Sequence, residues 1–397
     1  MRILFVTDGI HPFVLGGMQK HAAYAIRALA QSEHFVDVVI TGPKIESALE
    51  AEKVFWGDDV PNRVQFHFVP FPGLPKFPGH YLVASYLYAR RLTKYFTHKI
   101  STPDIIYSKG FVLWHYLRKR VWSETPVITQ LHGLEMYQPG FSLVEKINKW
   151  LMRLPAGFII KNSDFHLAYG GKIKEILLGM GVKETAIFEQ FGAVNDFWLK
   201  PVPAAKQNSD TRQFLFVARN EYRKGYHILK KALQQLIHER VDFNIKIVGD
   251  VQESDKIIHP NVNYTGSLGA EELKLLKETA EVLLVPSLSE GFPTIIIEAM
   301  ARGLCIAATD VGAVSFVVND NNGWLMNPGS TDSLVETMKL AISAPKQELE
   351  KKQNSATAKV TDEFNWDSAG KSLISQLEKA AYDYRQRFIG KKPETGR

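Results

Sequence analysis

Val285–Gly312, VPSLSEGFPTIIIEAMARGLCIAATDVG, is the stretch that decides how the chain is read. The apolar run Val282–Val285 leads into it as a strand end, Gly291 and Pro293 mark a tight turn, and TIIIEAMARG reads as a helix that stops at Gly303. The expected unit is strand, loop, helix. Pro293 stands where that helix begins, so its free backbone N–H groups and positive dipole end would face the loop of Gly291 and Phe292, with Thr294 in the first turn. A corner of this kind attracts an anion, typically phosphate.

Two carboxylates frame the corner, Glu290 in the loop and Glu298 eight residues on among Ile295, Ile296, Ile297, Ala299 and Met300. A carboxylate in such apolar company needs a polar partner, and a sugar diol offers two donors placed for its two oxygens. Glu298 is therefore read as a hydroxyl acceptor. The competing structural reading has Glu290 capping a helix and Glu298 paired with Arg302 on the same helical face.

Glu290-Gly-Phe-Pro-Thr through Glu298-Ala-Met-Ala-Arg-Gly resembles the E-x(7)-E signature of the retaining nucleotide-sugar glycosyltransferases of the group 1 type, family four. The resemblance runs from Met1 to about Phe388 and implies the GT-B fold: two doubly wound, parallel-sheet, Rossmann-like α/β domains facing a cleft. It further implies that Glu290 lies at the donor sugar and Glu298 holds the ribose hydroxyls. The backbone of Gly291, Phe292, Pro293 and Thr294 would then meet the diphosphate.

Working outward, the second half opens with the strand FLFVAR, and Arg219 and Lys224 follow it in the loop before the next helix. Both can reach one diphosphate, and both resemble the family's Arg and Lys that neutralise the leaving group. Arg223 between them is read as solvated. NIKIVGD is the next strand, and the resemblance places the nucleotide base near Gly266 after Tyr264-Thr265. The family often continues Gly-Asp-Gly-Pro, whereas this chain has Gly249-Asp250-Val251-Gln252, so the base is not assigned. Thr309–Gly312, Asn322-Gly323 and Pro328-Gly329 read as turns.

In the first half the runs ILFVT, VDVVIT, VQFHFVP, DIIYS, PVITQLHG and FHLAYG alternate with helical stretches such as MQKHAAYAIRALA. That alternation predicts parallel strands joined by crossover helices. Gly16-Gly17 follows the first strand and lets the backbone approach a ligand closely; it resembles the family's loop over the donor phosphates and acceptor. His132 lies just past a strand end, where the family's His reaches the donor sugar; Glu135 is a weaker candidate, and His115 and His166 are read as structural. Before the linker this chain has Gly192-Ala-Val-Asn195-Asp196 in place of the family's Asn-Gly-Val-Asp, so no sugar contact is assigned there.

The domains read as 1–198, an acceptor-side Rossmann-like domain; 199–211, a linker; and 212–363, the nucleotide-sugar-binding domain. Residues 364–388 read as a helix crossing back to the first domain and 389–397 as a disordered tail. A chain of 397 residues has material for two cores, and 45% hydrophobic with 23% charged residues is ordinary for a globular protein. The single Cys305 excludes an internal disulfide and suits a reducing compartment. The apolar start before Asp8 is too short for a signal peptide, and a cytoplasmic location is expected.

The net charge of +6 is carried by residues 1–200, with 23 Lys/Arg against 17 Asp/Glu, while the remainder balances. Basic surface favours a phosphorylated acceptor or phospholipid headgroups. HYLVASYLYARRLTKYF, FVLWHYLRKRVW and FSLVEKINKWLMRL interleave aromatic and basic residues, as a helix on the inner membrane face does and as core stripes also do. No motif points to nucleic acid, no Asp-x-Asp or metal-ligand spacing occurs, and no cofactor is expected beyond the nucleotide-sugar donor.

These readings imply metal-independent, retaining transfer of a sugar from a nucleotide diphosphate to a hydroxyl of a glycan or lipid-linked acceptor, as in cell-envelope glycan synthesis. The rivals are a sugar-nucleotide epimerase or hydrolase of the same architecture and a non-catalytic sugar-nucleotide binder. A dinucleotide oxidoreductase shares the doubly wound sheet but needs a G-x-G-x-x-G that no expected strand here precedes.

Overall fold

The computed structural model describes residues 1–14, 16–41, 47–75, 79–141, 143–200, 211–219 and 221–389. Most of the expected linker (201–210) and of the expected tail (390–397) lies outside the described residues. The chain divides into two compact units. One holds Met1–Tyr169, Lys174–Gln190 and the chain from Ala369 on; the other holds Gly170–Ile173 and Phe191–Ser368.

The first unit contains β1 (Arg2–Val6), β2 (Phe35–Ile40), β3 (Val64–Phe68), β4 (Ile105–Lys109), β5 (Val127–Gln130), β6 (Phe165–Ala168) and β7 (Ile187–Glu189). They form one sheet ordered β3-β2-β1-β4-β5-β6-β7, every pair parallel. Strands covered on both faces are buried along their length, which is why β1 (RILFV) and β2 (FVDVVI) read as near-continuous Val, Ile, Leu and Phe runs, and the buried Asp37 within β2 is met by His67 at 2.8 Å. The edge strand β7 is only half-buried, so it lacks the apolar run that marks the others.

The core of this unit packs Ile3 and Phe5 of β1 against Ile26 and Leu29 of the helix Gly17–Ala30. Leu373, Leu377 and Ala380 of the final helix, Trp366–Ile389, complete it from the far end of the sequence. Leu373 and Leu377 are fully buried, which contributes about 1.5–3 kcal/mol each as an upper figure.

The second unit contains β8 (Gln213–Val217), β9 (Asn244–Val248), β10 (Val262–Gly266), β11 (Val282–Val285), β12 (Cys305–Thr309) and β13 (Gly323–Met326), ordered β10-β9-β8-β11-β12-β13 and all parallel. Both sheets are doubly wound. Strand order reverses between β1 and β4 in the first and between β8 and β11 in the second, and ligands of such sheets bind outside the carboxyl ends of the strands at that reversal. Among the described residues no helix is long and apolar enough to cross a membrane.

Candidate active site

In the second unit the loops after β8 and β11 meet at the reversal. The Leu288 N–H donates to the Arg223 carbonyl at 2.7 Å, tying the two loops together. From that anchor the Lys224 ammonium donates to Glu290 Oε1 at 2.6 Å, and Arg223 approaches the other oxygen of Glu290 at 3.7 Å. Glu221 bridges Arg223 at 2.8 Å and Arg219 at 2.9 Å. Arg219 is 80% exposed, whereas Arg223 is held inside the array. The reading of Arg223 as solvated is therefore corrected: anchoring of its carbonyl turns its side chain inward.

Gly225 ends this loop with φ +77°, and a Cβ there would lie 1.9 Å from the Pro286 carbonyl oxygen. Only glycine allows the two loops to approach so closely. Gly312, read as a turn, does similar work: at φ +57° its backbone lies against the carbonyl of Glu290, and the Ala313 N–H donates to the Gly291 carbonyl at 3.0 Å.

The expected helix forms as Thr294–Ala301 with Pro293 at its N-cap and no side-chain cap. Glu290 thus does not cap it; the Ile296 N–H turns back to the Pro293 carbonyl at 3.0 Å, and no side chain caps the end. Phe292 fills the space over Gly192, where a Cβ would sit 2.3 Å from the ring, so Gly192 serves packing. Gly266 closes β10 at φ +71° and accepts from the Gly249 N–H at 2.9 Å.

Glu298 does not pair with Arg302, which binds Glu278 and the Lys200 carbonyl instead. Its partner is Lys277, whose ammonium donates to Oε2 at 2.8 Å with the Lys side chain fully buried. The same ammonium stands 4.0 Å from the centroid of Trp198, a cation–π contact that helps hold it. Burial pulls the Lys277 pKa down, and the charge of Glu298 pulls it back up. Lys277 was not singled out from the sequence. Its signal was there: with Leu273 and Leu276 it falls on the apolar face of the helix Ala270–Thr279, where a basic residue needs a partner.

In the first unit the carboxyl ends of β1, β4 and β5 carry a buried polar cluster. His132 sits at φ +52°, a strained conformation for a non-glycine residue, and its Nδ1 lies 2.7 Å from the Tyr169 hydroxyl. Its Nε2 is buried with no hydrogen-bond partner among the described residues. Burial first, then the nearby Lys109 and His21, hold the His132 pKa well below the usual range, so the ring is neutral near pH 7. Lys109, fully buried at the end of β4, donates to His21 Nδ1 at 2.7 Å. Asp8 accepts from the Tyr81 hydroxyl at 3.0 Å, and burial raises its pKa.

Gly16 precedes the helix Gly17–Ala30 at its N-cap without a side-chain cap, and both glycines are exposed. His166 and His115 take the structural places expected of them, 3.2 Å from Thr129 Oγ1 and from Thr93 Oγ1. Glu135 is exposed in a short 3-10 turn.

Residues 202–360 match the family described as Glycosyl transferases group 1, and residues 15–188 match Glycosyltransferase Family 4. The chain belongs to the group 1 glycosyltransferases and has the GT-B fold. Among curated relatives, a glycogen synthase of Mycobacterium tuberculosis is 23% identical over 92% of this chain and 92% of its own length. Among solved structures, the sucrose-phosphate synthase of Thermosynechococcus elongatus superposes with a TM-score of 0.74 at 18% identity, covering 98% of this chain and 99% of that one. An Anabaena protein solved with UDP and glucose gives 0.67 at 16% identity, covering 96% and 100%.

Proposed function

We propose that this glycosyltransferase moves a sugar, with retention and without a metal, from a nucleotide diphosphate to a hydroxyl of a glycan or lipid-linked acceptor of the cell envelope. The observation that carries the reading is the convergence of Lys224, Arg223 and Glu290 at the reversal between β8 and β11, beside the uncapped start of the helix Thr294–Ala301. The Anabaena structure with UDP and glucose supports a nucleotide-sugar donor.

In this reading Lys224, Arg219 and the helix N–H groups meet the charge that grows on the departing diphosphate, preorganised before the bond breaks. Glu290 orients the sugar hydroxyls. Glu298, steadied by Lys277, accepts from the ribose. The acceptor oxygen bonds to the anomeric carbon on the face that the phosphate leaves, and a phosphate oxygen takes the acceptor's proton. The reaction takes place in the cytoplasm at the inner face of a membrane, which the basic first unit touches.

A thermal-shift panel of UDP, GDP and ADP sugars tests the donor class, because a ligand of the folded state raises the melting temperature. Turnover of the stabilising donor should survive EDTA. No shift with any nucleotide sugar, or complete loss on chelation restored by Mn²⁺, refutes the reading.

A further inference from the structure

The helix Leu143–Asn162 leaves an apolar stripe uncovered. Leu143, Ile147, Trp150 and Leu154 are spaced four, three and four residues apart, so they share one face, and they are 75%, 51%, 60% and 63% exposed. Val144, 68% exposed, borders the stripe. A contiguous row of large apolar side chains in water marks a contact surface rather than ordinary scatter.

The border of the stripe is basic. Lys146 and Arg153, seven residues apart, run along one side of it, and Lys161, seven residues after Leu154, continues its line; all three are exposed. The one acidic residue of the helix, Glu145, is neutralised by Lys149 at 2.8 Å. Apolar residues flanked by cations on one helical face suit an interface that is apolar within and anionic at its edge, which describes a bilayer bearing acidic phospholipid. A protein partner would need matching carboxylates as well as a groove.

We propose that this face of the helix Leu143–Asn162 lies on an anionic lipid bilayer, with Leu143, Ile147, Trp150 and Leu154 among the acyl chains and Lys146, Arg153 and Lys161 at the headgroups. The inference deepens the reading above by locating its membrane contact, and it bears on acceptors held in lipid.

The test is co-sedimentation of the full chain with phosphatidylcholine vesicles, with and without phosphatidylglycerol. Wild type pellets with the acidic vesicles, and added salt weakens the binding. Ile147→Glu with Leu154→Glu lowers binding by about tenfold or more at an unchanged melting temperature, since both side chains already face solvent. Lys146→Glu with Lys161→Glu removes the preference for acidic lipid. Wild type remaining in solution, or equal binding by the first variant, overturns the proposal. Self-association broken by that same variant assigns the face to a second copy and also overturns it. Stabilisation of the full chain by a nucleotide sugar, followed in parallel without vesicles, fails only if the donor reading is wrong.

Discussion

Glu290→Gln has an outcome that the geometry makes counterintuitive. Glu290 is buried and neutralises the Lys224 ammonium at 2.6 Å, with Arg223 at 3.7 Å. If Lys224 receives the diphosphate, the Glu290 charge opposes that anion when no sugar is present. At ~6 Å and an effective dielectric of ~20, one unit charge amounts to about 3 kcal/mol. The Lys224 side chain is 19% exposed, so solvent and salt reduce the effect to about 1–2 kcal/mol. Glutamine keeps the acceptor oxygen and removes the charge. Free nucleotide diphosphate should therefore bind Glu290→Gln about 5- to 30-fold more tightly at low salt, with the gain shrinking as salt rises. Stability should fall by only about 1 kcal/mol, because both cations keep some solvent. Turnover should drop by about tenfold or more, since sugar orientation counts most as the glycosidic bond breaks. Titration calorimetry of the nucleotide diphosphate at two salt concentrations, beside turnover with the sugar nucleotide, measures all of this. Weaker nucleotide binding by Glu290→Gln would refute the reasoning.

The companion variant Glu298→Gln should weaken the donor and the free nucleotide diphosphate alike by about tenfold, because both carry the ribose that Glu298 is proposed to hold before the reaction begins; unchanged affinity in the same titration removes Glu298 from the ribose. Lys277→Met leaves Glu298 without its ion-pair partner, and because the Glu298 side chain is 20% exposed the stability cost should be about 1–3 kcal/mol, read by urea unfolding, with weaker nucleotide binding as well. If Lys277→Met binds nucleotide as wild type does, Lys277 only fills space. Burial lowers the His166 pKa to about 4, so between there and the ordinary value near 6.5 the unfolded chain binds the extra proton. Stability should therefore rise with pH across that window, by up to ~3 kcal/mol from this residue, and His166→Gln should flatten that part of the slope in unfolding curves at pH 5 and 7. An identical slope in the variant would place the titration elsewhere.

Six strands of the first sheet were legible because each centres on buried apolar residues, including the edge strand β3, whereas β7 at the other edge is three residues long and only half-buried. The strand, loop and helix around Glu290 could also be read directly, since Gly, Pro and a change from strand to helix composition are local signals. Partnership is not local. Lys277 meets Glu298 across 21 residues, between the helices before and after β11, and Lys224 and Arg223 meet Glu290 across more than 60, a partnership settled only when parallel pairing set β8 beside β11. The Lys109, His21 and His132 cluster arises in the same way, from the end of β4, the loop after β5 and the helix after β1, gathered by the sheet order. The sequence determines which segments become strands and helices, because periodicity and turn chemistry act over a few residues. Which buried charges share a pocket depends on strand order, and only the folded sheet supplies that.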